Sequence, residues 1–260
     1  MPIITLTSDL GLKDYYVASI KGAILSQNPD VTIVDITHEI PPFDMSKASL
    51  VVRNCYRDFP AGTIHIIGVN SETDLDIPHV AIFENGHYFI GADNGIFSLI
   101  FDKVPEKIVE LNISQETDNV TFPTRDVFVK AACHIARGGT LELIGKAKET
   151  IETKSLFRAI SENNSIRGMV SYIDHYGNLL SNISEQMFRT FGRGRKFVIY
   201  LRNANYEISE ITNAYNTVPD GEKVAMFSST GFIEIAVNKG NASKLFGVKE
   251  SDLIRIEFYD

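Results

Sequence analysis

The segment TSDLGLKDYY, residues 7–16, sets two carboxylates, Asp9 and Asp14, on either side of Gly11. It follows an apolar, β-branched run, so the pair lies just beyond the carboxyl end of an expected strand, where open α/β sheets bind ligands. Carboxylates there accept hydrogen bonds from paired hydroxyls, such as those of a ribose, and from an ammonium group. Asp14 equally suits the cap of the helix expected to follow. GADNG (91–95) and DHYGNLLSN (174–182) each join a strand to a turn through an asparagine, whose amide donates and accepts at once. SSTGFIEIAVNKGNA (228–242) sets two serines before a glycine and ends in a second Asn-rich turn. Taken singly, each of these three also describes an ordinary turn.

Several familiar chemistries are not written in the chain. No G-x-G-x-x-G follows the first strand, there is no H-E-x-x-H, and no Cys/His cluster has zinc spacing, so no metal ligands are expected. GGTLELIGK falls short of a phosphate-binding loop, because five residues separate Gly139 from Gly145 and Lys146 precedes alanine rather than Ser or Thr. With 25 basic and 33 acidic residues the formal charge is −8, which argues against nucleic acid as a partner. FRTFGRGRK (188–196) is the local exception, read as a solvated basic turn between strands. Cys55 and Cys133 each sit in an apolar, helix-like stretch and are expected in the core. No run of 18 apolar residues or leader-like segment occurs, so no membrane partner and a cytoplasmic location are expected.

The elements that must position these residues follow from periodicity. IITLT (3–7), VTIVDIT (31–37) and GTIHIIGV (62–69) read as buried strands, while residues 13–27 and 45–59 have helical spacing. HVAIFENGHYFIGA (79–92) reads as two strands joined at Asn85-Gly86. This alternation predicts an α/β N-terminal domain with a mostly parallel sheet covered by helices. ISENNSIRG (160–168) concentrates small and polar residues, and beyond it come GMVSYID, KFVIYL, EKVAMFSS, FIEIAV and LIRIEF. These predict a small antiparallel all-β, barrel-like C-terminal domain, with the division at 1–165 and 166–260.

Seven segments, in order, carry a resemblance: TSDLGLKDYYV, NPDVTIVDITHEIPPFD, FPAGTIHI, GADNGIFS, TFPTRDVFVKAACHIARG, IDHYGNLLSNI and SSTGFIEIAVNKGNA. The chain resembles the S-adenosylmethionine hydrolases, also called S-adenosylmethionine hydroxide adenosyltransferases, and their fluorinating and chlorinating relatives. The resemblance implies a homotrimer that binds S-adenosylmethionine (SAM) between one subunit's N-domain and its neighbour's C-domain, with no cofactor. It implies that Asp9 holds the ribose hydroxyls, Asp14 and Asn178 meet the methionine end, and Phe43 packs near the nucleoside. Ser229 would help hold the carboxylate, and Tyr176 would line the adenine end. The implied reaction is displacement at the ribose C5′ carbon with methionine leaving, driven by proximity and electrostatics.

Three departures bear on the nucleophile. Where the hydrolases carry an Asp, an Arg seven residues later and a His, this chain has Asn70, Ile77 and Pro123. Asn70 can orient a water but cannot deprotonate it, and Pro123 lacks even a backbone donor. The halogenating relatives carry tyrosine at the Asn70 and Pro123 positions and a serine or glycine where Thr124 stands. Thr124 keeps a hydroxyl beside the expected nucleophile, followed by Arg125 and Asp126. SETDLDIPH offers Glu72, Asp74, Asp76 and His79 as replacements, with His79 the best general base by its ordinary pKa. Asn70, Thr124 and His79 are therefore the candidate catalytic residues. Hydrolysis of SAM leads, with a noncatalytic binder of SAM or adenosine, or a transferase using another nucleophile, as alternatives.

Overall fold

The run IITLTS forms β1 (Ile3–Ser8), and after a turn through Gly11 the chain enters α1 (Tyr16–Gln27) and returns as β2 (Thr32–Thr37). α2 (Met45–Cys55) follows, capped by Asp44, whose carboxylate accepts from the Lys47 N–H, and then β3 (Ile64–Gly68). β4 (His79–Glu84) and β5 (His87–Ala92) form the expected hairpin. Its two-residue turn works because Asn85 and Gly86 both take positive φ, 52° and 79°. α3 (Ile96–Ile100), β6 (Lys107–Leu111), α4 (Val129–Ala136) and β7 (Gly145–Ala147) complete the first of two compact units, Met1–Leu156. The computed structural model describes residues 1–72, 77–113, 120–155, 157–201 and 206–259.

The sheet of this unit has the order β2-β1-β3-β5-β4-β6-β7. β2, β1, β3 and β5 pair in parallel, and the antiparallel pairings beyond them leave β6 running with that set, so the sheet is mostly parallel as expected. Side-chain alternation builds a core on each face. Ile4, Leu6, Ile64 and Ile66 pack with Ile20 and Ile24 of α1 and with Ala131, Ala132 and Cys133 of α4. Ile67, Val80, Ile82 and Phe89 pack with Ala48 and Val52 of α2 and with Phe97 and Ile100 of α3. Four parallel strands therefore end side by side, and the loops that follow them form one edge.

The second unit, Phe157–Asp260, is an antiparallel sheet curled toward closure. It comprises β8 (Ile160–Glu162), β9 (Ser165–Ile173), β10 (Leu179–Ser184), β11 (Lys196–Tyr200), β12 (Glu207–Ile208), β13 (Lys223–Phe227), β14 (Phe232–Val237) and β15 (Leu253–Tyr259). Its path runs β12-β11-β15-β9-β10-β14-β13, and a bridge between Thr212 and Met226 draws the two ends together. Ile166, Leu179, Ile183, Ile199, Ile235 and Ile256 face the enclosed core.

Two local expectations are corrected. ISENNSIRG, the polar stretch at which the domain division was expected, is a hairpin, because Asn163 and Asn164 both adopt the left-handed region (φ 44° and 63°) and turn β8 onto β9. That hairpin carries residues 160–165 into the second unit, so the units divide at 156–157. FRTFGRGRK is largely helical: α5 (Glu185–Gly192) is capped by Ser184, which accepts from the Met187 N–H, and ends at left-handed Arg193. The last helix, α6 (Ala242–Phe246), is capped by Asn241. Among the described residues, no helix is long and apolar enough to cross a membrane, and no group of three or more His, Cys, Asp and Glu is placed to hold a metal ion.

Candidate functional site

At the end of β1, Asp9 is fixed by the loop that follows β2. The Phe43 N–H donates to Asp9 Oδ2 at 2.8 Å, and the Gly11 N–H donates to the His38 carbonyl at 2.8 Å. Ser8 Oγ lies 2.7 Å from His38 Nδ1, tying the same two loops through buried side chains. Phe43 holds φ at 65°, rare for an aromatic residue, and its ring is 63% exposed. Backbone strain of this kind costs about 1–3 kcal/mol and clusters at ligand sites. Asp14 stands exposed before α1. It does not cap that helix: Tyr15 occupies the cap position without a side-chain bond. Leu12 and Tyr15 are also exposed, at 64% and 68%, so large apolar side chains stand among the exposed Lys13 and Asp14 beside Asp9.

At the end of β3 the chain reverses at Asn70, which takes φ 47°. Asn94, buried beyond the end of β5, braces that reversal: its Nδ2 donates to the Val69 carbonyl at 3.3 Å and the Asn70 carbonyl at 2.9 Å. GADNG is thus a brace, with Asp93 turned away to accept from the Glu152 N–H. Burial raises the Asp93 pKa, against the pull of that bond and of Lys148. His79 holds Ser71 from the other side, its Nε2 lying 3.1 Å from the Ser71 carbonyl. A carbonyl only accepts, so that nitrogen carries the proton. Burial lowers the His79 pKa, opposed by its bonds to the Ser71 and Glu72 carbonyls, and its ring packs edge-on against Phe128 at 4.9 Å.

Thr124 reaches this loop from a π-helical turn, Thr124–Phe128, that runs into α4 and begins after Pro123. π-turns inside helices recur at functional sites because they re-aim side chains. Thr124 is 3% exposed, and its Oγ1 lies 3.0 Å from Ser71 Oγ. Only glycine fits at position 68, since a Cβ there would stand 2.7 Å from Thr124 Oγ1 and Cγ2. Arg125 forms a two-point pair with Asp126, Nε to Oδ1 at 2.6 Å and Nη2 to Oδ2 at 3.0 Å, which raises the Arg125 pKa. Asp74 and Asp76 lie outside the described residues.

The first unit thus brings Asp9 to Phe43, and Thr124, Asn70 and His79 to Ser71. Since Ser8 pairs with Gly68 in adjacent strands, the two groups are neighbours along one edge. Ser71 escaped the sequence reasoning because its contact with Thr124 spans 53 residues.

The second unit carries the other three candidates. Asp174 holds Asn178 twice, accepting from its N–H at 2.8 Å and from its Nδ2 at 2.9 Å. Gly177, at φ 88°, lets the loop pass Asn241, where a Cβ would come within 2.1 Å of that amide. Tyr176, in the same turn, is 74% exposed. Ser229 is exposed in the tight turn 228–231 between β13 and β14. The β10–β14 register pairs Leu179 with Ile235 and Ser184 with Phe232, so Asn178 and Ser229 stand at opposite ends of that ladder, about 20 Å apart. Beside β10, buried Glu234 accepts from the Tyr215 hydroxyl at 2.6 Å. Burial raises the pKa of both, and the charge of Asp174 adds to each.

Comparison with known proteins gives these two units a common context. The profile of the SAM hydroxide adenosyltransferase N-terminal domain matches residues 4–145, and that of the C-terminal domain matches residues 168–255. The (R)-S-adenosyl-L-methionine hydrolase of Methanocaldococcus jannaschii is 30% identical, over 98% of this chain and 96% of that protein. The fluorinase of Nocardia brasiliensis is 26% identical, over 98% and 97%. A crystal structure of a conserved protein from Thermotoga maritima matches with a TM-score of 0.88 at 30% identity, covering 98% of this chain and 99% of that one. With both domain profiles matched in order and relatives spanning nearly the whole chain, the protein belongs to the SAM hydroxide adenosyltransferase family.

Proposed function

We propose that the protein transfers the adenosyl group of SAM to water, giving adenosine and methionine. The observation that carries this reading is the adjacency of a fixed carboxylate, Asp9, to a braced polar loop at the end of β3. Asp9 accepts from the ribose hydroxyls, Phe43 covers the nucleoside, and C5′ then faces the Asn70–Thr124 region. The sulfonium is already a good leaving group, so the chain's tasks are to align water behind C5′ and to exclude competing solvent. No cofactor enters this reaction. His79, with Nε2 committed to Ser71, serves in this reading to hold the loop rather than to take the proton.

The remaining residues sort by their distance apart. Tyr176 and Asn178 share one turn, so this reading moves Asn178 from the methionine end, where the resemblance sets it, to the adenine end beside Tyr176. Ser229, a ladder's length away, belongs at the methionine end with Asp14. Exposed Leu12, Tyr15 and Phe43 around Asp9 fit burial by a neighbouring copy, in keeping with a homotrimer whose sites are completed between subunits. A cytoplasmic location accords with SAM as substrate.

One observation favours a second reading, a binder without turnover or a transferase with another nucleophile: Asn70, Ile77 and Pro123 offer no base. Incubation with SAM separates the two. Adenosine and methionine formed equally, in proportion to protein, support hydrolysis; SAM recovered intact on the protein supports the binder.

A further inference from the structure

We propose that Ser71, paired with Thr124, holds the attacking water. This rests on hydrolysis as the reaction and names the part of the site that replaces a base. Ser71 is preorganised to an unusual degree for a loop serine. Asn94 fixes the carbonyls of Val69 and Asn70, His79 fixes its own carbonyl, and left-handed Asn70 turns it back over Gly68 toward Thr124. Gly68 and the π-helical turn bring the Thr124 hydroxyl to 3.0 Å from Ser71 Oγ.

The chemistry of a hydroxyl pair decides what it can hold. One hydroxyl donates to the other, so the pair keeps a single free O–H and several lone pairs. Water needs acceptors for its hydrogens while its own lone pair points at C5′, and the pair supplies them. A halide needs donors only, of which the pair offers one. As the water oxygen bonds to C5′, the C5′–S bond breaks and its electron pair leaves with methionine. The positive charge passes from sulfur to the new oxonium, a strong acid that releases its proton to solvent. No protein base is required, which accounts for a site built on Asn70, Ser71 and Thr124.

The test compares wild type with Ser71→Ala, Thr124→Val and the double variant, measuring adenosine formation from SAM, SAM affinity by calorimetry, and melting temperature. The expected result is a kcat lowered about tenfold or more in each single variant, with SAM affinity and melting temperature held, and a double variant no worse than the poorer single one. Thr124→Ser, which keeps the hydroxyl, restores kcat toward wild type and guards against a packing defect in Thr124→Val. An active wild type with Ser71→Ala unchanged, with losses confined to affinity or melting temperature, or with losses that multiply in the double variant overturns this inference alone. A wild type that forms no adenosine overturns both it and the hydrolytic reading.

Discussion

Asp9 has two demands on one carboxylate: Oδ2 holds the Phe43 N–H, and the remaining lone pairs are left for a ligand. Asp9→Ala should weaken SAM binding by at least about tenfold, the scale of a hydrogen bond to a charged group. Calorimetry checks this, and unchanged affinity would remove the ribose assignment. His65 makes a different prediction. It lies buried between Thr5 Oγ1, at 2.8 Å from its Nδ1, and His87 Nδ1, at 3.3 Å from its Nε2. Burial first, and the charge of His87 second, push its pKa down to about 3. The unfolded chain takes up a proton below about 6.5, while the folded one resists until near that lower value. Stability present above pH 6.5 is therefore lost as pH falls, by up to about 1.4 kcal/mol per pH unit. Urea midpoints between pH 7 and pH 4 should fall, and fall less in His65→Gln; equal slopes would exclude His65 as the source. Asp9 could be singled out locally, as a carboxylate just after a strand, whereas Thr124 entered only through the family resemblance. Ser71 was not legible, since its partner depends on a reversal at Asn70 and a glycine in another strand.

At the scale of elements, the site depends on how closely the β3 end approaches the π-helical turn. Gly68→Ala would drive a Cβ into Thr124, which is buried and cannot withdraw. Overpacking of this kind costs about 1–3 kcal/mol, so the melting temperature should drop by several degrees and turnover with it. Melting and activity assays check both; a full-strength Gly68→Ala enzyme would show that the contact is not critical. Strands β1 to β5 were plain in the sequence, because buried strands read as apolar runs and Asn85-Gly86 declares its turn, whereas β6, β7, β8 and β12 were not predicted. The stretch around Asn163-Asn164 reads in sequence as the domain division because paired asparagines mark a loop and a left-handed hairpin turn equally well. α5 was missed for a related reason. Its basic residues suggested a solvated turn, although Ser184 one residue before Glu185 was a usable cap signal. The π-helical turn has no sequence signature beyond Pro123, which ends one conformation and opens another.

At the scale of the molecule, the two units carry complementary sets of candidates, Asp9, Asp14, Phe43, Asn70 and Thr124 in one and Tyr176, Asn178 and Ser229 in the other. A homotrimer that joins neighbouring copies through the exposed Leu12, Tyr15 and Phe43 should sediment at three times the 29.0 kDa chain mass. Introducing charge there, as Tyr15→Glu, should shift it toward monomer and abolish turnover; a fully active monomer would contradict a shared site. In the proposed reaction water attacks C5′ without a protein base. The most direct test is to incubate the protein with SAM in heavy-oxygen water with added chloride and to identify the nucleosides by mass spectrometry. Adenosine carrying one heavy oxygen at the 5′ position, formed in proportion to protein, is the expected product. A chlorinated nucleoside, unlabelled adenosine or intact SAM bound to the protein would contradict this reaction.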